Sequence, residues 1–175
     1  MHLECLMPRW GCLVQSSAGR VRVTSRSSSS FGDTQVMHSG GVFAAVRLLP
    51  GDELIAGLRC LQPDTGNEAM TVVTCAGRLR SANIGHADVN CGRLYEGRSE
   101  IVSLAGTMDR HHRHLHISNV DTEGEVFGAH LLPGSAVCTT AGIVALILPD
   151  LSFGRAPCDR SGFDERTITK RKAEA

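Results

Sequence analysis

Two short runs near the middle of the chain carry its clearest structural signal: Arg113-His114-Leu115-His116-Ile117-Ser118 and Phe127-Gly128-Ala129-His130-Leu131. Both alternate in the manner of half-buried strands. The polar segment between them, Asp121-Thr122-Glu123-Gly124-Glu125, contains a glycine and is typical of a hairpin turn. The sequence therefore predicts an antiparallel hairpin whose centre falls near Glu123.

This hairpin would gather three histidines on one face. Strand side chains alternate faces, so His114 and His116 project the same way. Opposed residues of an antiparallel pair have numbers that sum to twice the centre, so His116 should oppose His130. Cβ atoms of opposed residues lie roughly 4.5 to 5.5 Å apart. His114, His116 and His130 should thus form a compact triangle able to bind zinc, with a fourth position open as in catalytic zinc sites.

Two other interpretations of these histidines stay open at this point. Histidine is common on half-exposed strands, and a His-x-His pair alone is a weak motif. A one-residue slip in register would place His130 on the opposite face and remove the site. His112 shares the parity of His114 and is a weaker candidate for a fourth ligand, whereas the basic run from Arg110 to Arg113 is typical of a solvated strand entry.

The composition is that of an ordinary globular chain with one domain, since 42% of its 175 residues are hydrophobic and 21% are charged. Its 18 basic residues are balanced by 18 acidic ones, so no overall field favours nucleic-acid binding. Aromatic residues make up only 4% and offer few platforms for stacked bases. No apolar run reaches the roughly 18 residues that span a bilayer, so we expect no membrane segment.

Cysteine usage indicates a reducing compartment. The seven cysteines are odd in number and include no Cys-x-x-Cys pair, which argues against a disulfide framework or a thiolate zinc site. Cys75 and Cys138 lie in apolar runs, where a small hydrophobic role is expected. We therefore expect free thiols and a cytoplasmic protein.

The two ends of the chain differ from its middle. Residues 1–40 are rich in arginine and serine, with Glu4 the only acid before residue 33. This segment is either a disordered leader or a mitochondrial transit peptide. Residues 41–169 form the predicted domain, and residues 170–175 form a basic tail that begins Lys170-Arg171-Lys172. Three charges are too few to argue for nuclear import, which stays an alternative.

The predicted domain begins with a strand at 42–48, a turn with a helix cap at Pro50-Gly51-Asp52, and a helix from Glu53 to Leu61. Short connections containing Gly77, Gly97 and Gly124 suggest antiparallel neighbours. One strand-helix unit followed by many strands predicts a single α+β domain with a largely antiparallel sheet and flanking helices. The further strand-like runs are 70–76, 79–84, 101–108, 115–120, 126–132 and 136–148.

Several motifs in this order resemble the PPC domain, the "plants and prokaryotes conserved" domain, over about residues 42 to 169. The resemblance implies a compact α+β domain with a largely antiparallel sheet that assembles as a homotrimer. The motifs are Ala45-Val46-Arg47-Leu48-Leu49-Pro50-Gly51-Asp52-Glu53-Leu54, Glu100-Ile101-Val102-Ser103-Leu104-Ala105-Gly106, His114-Leu115-His116, Gly128-Ala129-His130-Leu131, Leu148-Pro149-Asp150-Leu151 and Gly162-Phe163-Asp164-Glu165.

The two branches of that family imply different functions. The plant branch joins the domain to AT-hooks, and no Arg-Gly-Arg-Pro segment occurs here. The stand-alone prokaryotic branch carries a His-x-His and a later Gly-Gly-His, and it looks like a metal-binding domain. His114, His116 and His130 match those motifs, with Ala129 in place of the second glycine. That methyl should point away from the face of His130 and leave the ligand in place.

The leading hypothesis is therefore a homotrimer that binds one divalent metal, with zinc as the expected ion, through three histidines. The alternative is a non-enzymatic regulatory or interaction module, which could be DNA-associated like the plant relatives. The sequence assigns no reaction and no small-molecule ligand. Asp121, Glu123 and Glu125 cannot be ranked as proton-transfer partners, since the hairpin places all three at an exposed tip.

Overall fold

The computed structural model describes residues 36–62, 69–89 and 91–171. Residues 1–35 of the predicted leader and residues 172–175 of the predicted tail lie outside this part of the chain. The elements are β1 (Val42–Leu48), α1 (Leu54–Arg59), β2 (Ala69–Gly85), β3 (Arg93–Met108), β4 (Arg113–Asp121), β5 (Val126–Leu131), β6 (Ala136–Leu148), β7 (Leu151–Cys158) and β8 (Phe163–Lys170).

Six strands form one antiparallel sheet in the order β1-β6-β2-β3-β4-β5, and β7 and β8 pair separately with each other. The end of β2 also pairs with β5, where Gly85 opposes His130 and Ile84 opposes Leu131. Strands β2, β3, β4 and β5 therefore form a closed ring of pairings. This ring fixes β4 and β5 between hydrogen-bonded neighbours on both sides.

The prediction of an α+β domain with flanking helices is wrong, because nearly all the regular secondary structure of the described residues is strand. Within them α1, with six residues, is the only helix. The glycines at 77 and 97 do not make turns but lie inside β2 and β3. At Gly77 a Cβ would lie 2.4 Å from the carbonyl oxygen of Thr140, so glycine permits close packing of β6. Gly97 lies where the β2–β3 register shifts.

For the short helix α1, the sequence predicts the buried face correctly and the N-cap residue incorrectly. Leu54, Ile55 and Leu58 are buried, as their spacing predicts. The cap is Glu53 rather than the predicted Asp52, since the Glu53 carboxylate accepts from the Ala56 N–H at 2.7 Å. Asp52 instead accepts from the Leu49 N–H at 2.7 Å and closes the preceding turn.

The core is built from α1 and strands β1 to β6. In β4 its members are Leu115 and Ile117, which alternate with the exposed His114 and His116. Burying one such side chain stabilises the fold by about 1.5 to 3 kcal/mol. Alternation between core and solvent therefore fixes which face of β4 carries its histidines.

The cysteines in the described residues are free, as the sequence predicts. Burial raises the pKa of the Cys75 thiol to about 11, which keeps it protonated and unreactive near neutral pH. In the same part of the chain, no helix is long and apolar enough to cross a membrane.

Candidate metal centre

The turn of the β4–β5 hairpin sets the register of the site. Asp121 Oδ1 accepts from the backbone N–H groups of Glu123 and Glu125, each at 2.9 Å. Gly124 has φ +90°, a conformation that favours glycine. The strands pair from Val120 opposite Val126 down to His116 opposite His130. The register predicted from the turn centre at Glu123 is therefore confirmed.

The three imidazoles lie together on the exposed face. His114, His116 and His130 each offer one ring nitrogen, and these nitrogens all lie within 4.8 Å of one another. The Nε2 atoms of His114 and His116 are 3.1 Å apart. The ring centroids of His116 and His130 are 4.5 Å apart, and those of His114 and His130 are 5.2 Å apart. Histidine nitrogens at this spacing could hold a divalent metal ion.

Neighbouring strands fix the backbone under each histidine. Thr107 and Ala105 of β3 oppose His114 and His116, and Gly85 of β2 opposes His130. The three imidazoles are carried on two strands that are paired along both edges. A site with such support loses little entropy when it binds an ion.

The close approach of β4 explains why the Gly-Ala-His motif begins with glycine, at Gly128. A Cβ at this position would lie 2.0 Å from the carbonyl oxygen of Ile117, so only glycine lets β4 and β5 pair here. Ala129 packs against the core, and His130 keeps its place opposite His116. The methyl group of Ala129 thus leaves the histidine in register, as expected.

The electrostatics of the site favour neutral histidine at position 114. Partial burial lowers the pKa of His114, and His116, His130, Arg166 and Arg155 lower it further through charge repulsion. Only the neutral imidazole binds a metal. His114 therefore stays neutral, and able to bind a metal cation, at a lower pH than an isolated histidine does.

Other candidates from the sequence lie outside the triangle. Nδ1 of His112 is 3.4 Å from Oδ1 of the buried Asp109, and His112 is not part of the histidine cluster. Asp121 is five residues from His116 along β4, or about 17 Å at roughly 3.4 Å per residue. The carboxylates of the hairpin tip are therefore too far away to exchange protons at the triangle.

Sequence reasoning missed two arginines of the β7–β8 hairpin that act on the site. Arg155 and Arg166 oppose each other in register, and both lower the pKa of His114. Arg155 also lines a cavity of about 500 Å³ together with Arg113 and His130. Gly162, with φ +76°, stands where this hairpin turns and is the sequence signal that could have revealed it.

Comparison with known proteins gives a family match over most of the described residues. The model of the Plants and Prokaryotes Conserved (PCC) domain, which is the PPC domain, matches residues 36–149. The "Bifunctional protein GlmU" of Synechococcus sp. (strain JA-2-3B'a(2-13)) is 34% identical over 123 residues, which are 70% of this chain and 20% of that protein. The chain thus spans about a fifth of the length of this relative.

Solved structures share the fold. A hypothetical protein from Salmonella cholerae-suis (Salmonella enterica) superposes with a TM-score of 0.73 at 34% identity, covering 78% of this chain and 99% of that one. The "Metal-containing Protein AF0104" from Archaeoglobus fulgidus superposes with a TM-score of 0.60 at 25% identity, covering 75% of this chain and 98% of that one.

Proposed function

This chain belongs to the Plants and Prokaryotes Conserved (PCC) domain family, and from that premise we propose that it binds one divalent metal ion, zinc, through His114, His116 and His130. One observation carries the proposal: three imidazole nitrogens lie within 4.8 Å of one another on a rigid, strand-paired framework. The description of the Archaeoglobus fulgidus relative as a metal-containing protein supports it.

The donor set fits zinc. Ligand nitrogens at 2.0 to 2.1 Å from a tetrahedral ion lie about 3.3 Å from one another. The 3.1 Å between the Nε2 atoms of His114 and His116 is close to this value. The carboxylate-rich sites that suit magnesium or calcium look different, since those ions prefer oxygen ligands.

Three protein ligands are the number that catalytic zinc sites use, since a fourth position then stays open. A zinc ion in such a site supplies Lewis acidity. The contribution of this chain is to hold three imidazoles on one exposed face of the sheet. The proposal is a metal-binding function and names no reaction.

Metal analysis of protein purified without a histidine tag tests the proposal. We expect about one zinc per chain in the wild type and a loss of at least tenfold in His116→Ala. His38→Ala is the control, because His38 is exposed and lies outside the triangle. Equal, substoichiometric metal in all three proteins would contradict the proposal.

We also propose that the chain assembles as a homotrimer, as the family resemblance implies. Exposed apolar side chains on the sheet support an interface, among them Phe43 at 70% and Val102 at 60% exposure. Light scattering coupled to gel filtration should give three times the chain mass of 18.7 kDa. Phe43→Asp with Val102→Asp should lower that mass, and a monomeric wild type would contradict the assembly.

We place the protein in the cytoplasm, because the cysteines that the structure describes are free thiols. A transit peptide within residues 1–40 would instead direct it to mitochondria. Cell fractionation of the full chain separates these compartments, and recovery in the mitochondrial or nuclear fraction would contradict the cytoplasmic placement.

A further inference from the structure

We propose that the cavity beside His130 binds a small organic anion, held through a carboxylate or phosphate group by Arg113 and Arg155. The cavity has a volume of about 500 Å³ and is lined by these two arginines and by His130 of the triangle. Anion binding follows from the cavity alone. A contact between the bound anion and a metal at the histidine triangle would follow only from the proposed function above, since His130 belongs to both.

The charges of the wall are of one sign. Arg113 and Arg155 carry that positive charge, and no carboxylate lines the cavity within the described residues. The other polar side chains of the wall include His86, His111, His112 and His130. Guanidinium groups stay charged at all physiological pH values, and a cleft lined by one sign of charge attracts counter-ions. The wall is therefore electrostatically suited to an anion.

Within the described residues, no ion pair joins Arg113 or Arg155 to a carboxylate. Among the described residues, Arg78 pairs with Glu100 and His112 pairs with Asp109. Arg155 uses Nη1 to donate to the carbonyl oxygen of Asp164 at 2.7 Å. A guanidinium has five N–H donors, so Arg155 keeps others for a ligand.

The buried acid Asp109 hydrogen-bonds to the backbone of a segment that lines the cavity. Its side chain is 2% exposed, and Oδ1 accepts from the backbone N–H groups of His111 and His112, each at 2.7 Å. Because this oxygen is committed to the backbone, Asp109 orders the segment that carries two of the wall histidines. Asp109 itself is not among the residues that line the cavity.

The hairpin that supplies Arg155 adds a second reason to expect an anion. Arg166 lies opposite Arg155 in the strand register, and its guanidinium sits 4.8 Å from the centre of the Phe153 ring. Like charges directly opposite each other on paired strands are destabilising. An anion bound at Arg155 would relieve this repulsion.

The apolar part of the cavity wall indicates that the bound anion also carries an apolar organic group. Leu115 and Leu131 are each 2% exposed, and with Leu132 they give the cavity an apolar side. Ligand cavities typically measure about 300 to 1,000 Å³ and combine apolar walls with a few polar anchors. Two guanidinium groups can each grip a carboxylate or a phosphate through paired N–H bonds.

Nuclear magnetic resonance titrations of metal-free and zinc-loaded protein test this inference with benzoate, phenyl phosphate and the neutral benzyl alcohol. At least one of the two anions should bind at least tenfold more tightly than the alcohol, with shifts around the cavity. The tighter anion identifies the preferred group. Anions that bind no better than benzyl alcohol would overturn the inference.

Variants localise the effect. Arg113→Gln and Arg155→Gln should each weaken binding of the preferred anion about tenfold or more, since each removes a charge-assisted hydrogen bond. Arg113→Gln is the decisive variant, because Arg155 also supports its own hairpin through Asp164. Arg47→Gln is the matched control, because Arg47 is exposed on β1 and outside the cavity. Unchanged affinity in Arg113→Gln would contradict the assignment.

His116→Ala separates this inference from the metal proposal. His116 lies outside the cavity wall, so the metal-free variant should bind the anion with wild-type affinity while zinc binding is lost. Anion binding without any zinc site in the wild type would contradict only the proposed function. Zinc binding without anion binding would contradict only this inference.

Discussion

The β4–β5 and β7–β8 hairpins both supply charged or polar side chains to the site, but the protein holds them in different ways. The first places Leu115 and Ile117 in the core and is paired to β3 and β2 along its two edges. The second pairs only within itself and contributes Leu151 as its one buried residue. The three clustered histidines lie on the former hairpin, whereas Arg155 and Arg166 lie on the latter.

This difference links packing to function. A hairpin anchored by core side chains opens only with a large part of the fold, whereas one with few buried contacts opens locally at lower free energy. Three ligands for one ion need fixed relative positions, while a guanidinium on a long side chain can adapt to its anion. We therefore expect the two hairpins to respond differently to equivalent changes.

The largest difference should come from glycine substitutions in the two hairpins. In Gly128→Ala the new Cβ would lie 2.0 Å from the backbone oxygen of Ile117, whereas in Gly154→Ala it would lie 2.9 Å from the side-chain oxygen of Thr167. A backbone clash cannot be relieved by side-chain rotation, so we expect a loss of about 3 kcal/mol or more for Gly128→Ala. For Gly154→Ala we expect about 1 kcal/mol or less, since the hydroxyl group can rotate.

Urea denaturation of the two variants measures this difference, with the wild type as reference. Equal losses of unfolding free energy would show that β4 and β5 are not packed more tightly than β7 and β8.

Truncating one buried leucine in each hairpin should give a smaller contrast. Leu115→Ala removes a side chain from the main core and should cost about 3 kcal/mol of unfolding free energy. Leu151 is 6% exposed but lies outside that core cluster, so Leu151→Ala should cost about half as much. Urea denaturation measures the loss of unfolding free energy in each variant. A larger loss in Leu151→Ala than in Leu115→Ala would contradict the proposal that the β4–β5 hairpin is the more tightly packed one.

The smallest effect should appear in the pH dependence of stability. Burial, the neighbouring histidines and then Arg166 and Arg155 lower the pKa of His114. In the unfolded chain that pKa returns to about 6.5, so the unfolded state binds more protons just below this pH. The metal-free protein should therefore lose stability as the pH falls through about 6.5, until the folded-state pKa of His114 is passed.

Urea midpoints at pH 7.5 and 5.5 measure this loss. The loss should shrink in His114→Gln, and also in Arg166→Gln because one repulsive charge of the other hairpin is gone. A loss that is identical in the wild type and His114→Gln would rule out His114 as its source.

The sequence predicted the β4–β5 hairpin well because three independent signals agree there. Asp121 and Gly124 define the turn, the alternation of leucine and isoleucine with histidine defines the faces, and the turn centre defines the register. Where one face is buried, register and burial reinforce each other. Local spacing alone was therefore enough to locate the histidine cluster.

The rest of the fold was harder to predict, for physical reasons. Gly77 and Gly97 suggested turns, but glycine also serves close strand packing and bulges inside long strands. The β7–β8 hairpin has little buried surface and contains Pro157, so neither periodicity nor propensity marks it clearly. Its arginines reach the site through tertiary placement, which local patterns do not encode.

The most direct test of the metal site is X-ray absorption spectroscopy at the zinc edge of the zinc-loaded, untagged protein. We predict three nitrogen ligands at about 2.0 to 2.1 Å, with the outer-shell scattering of imidazole. His116→Ala should lose this signature, and His38→Ala should keep it. Sulfur ligands at about 2.3 Å would assign the zinc to cysteines and contradict the account.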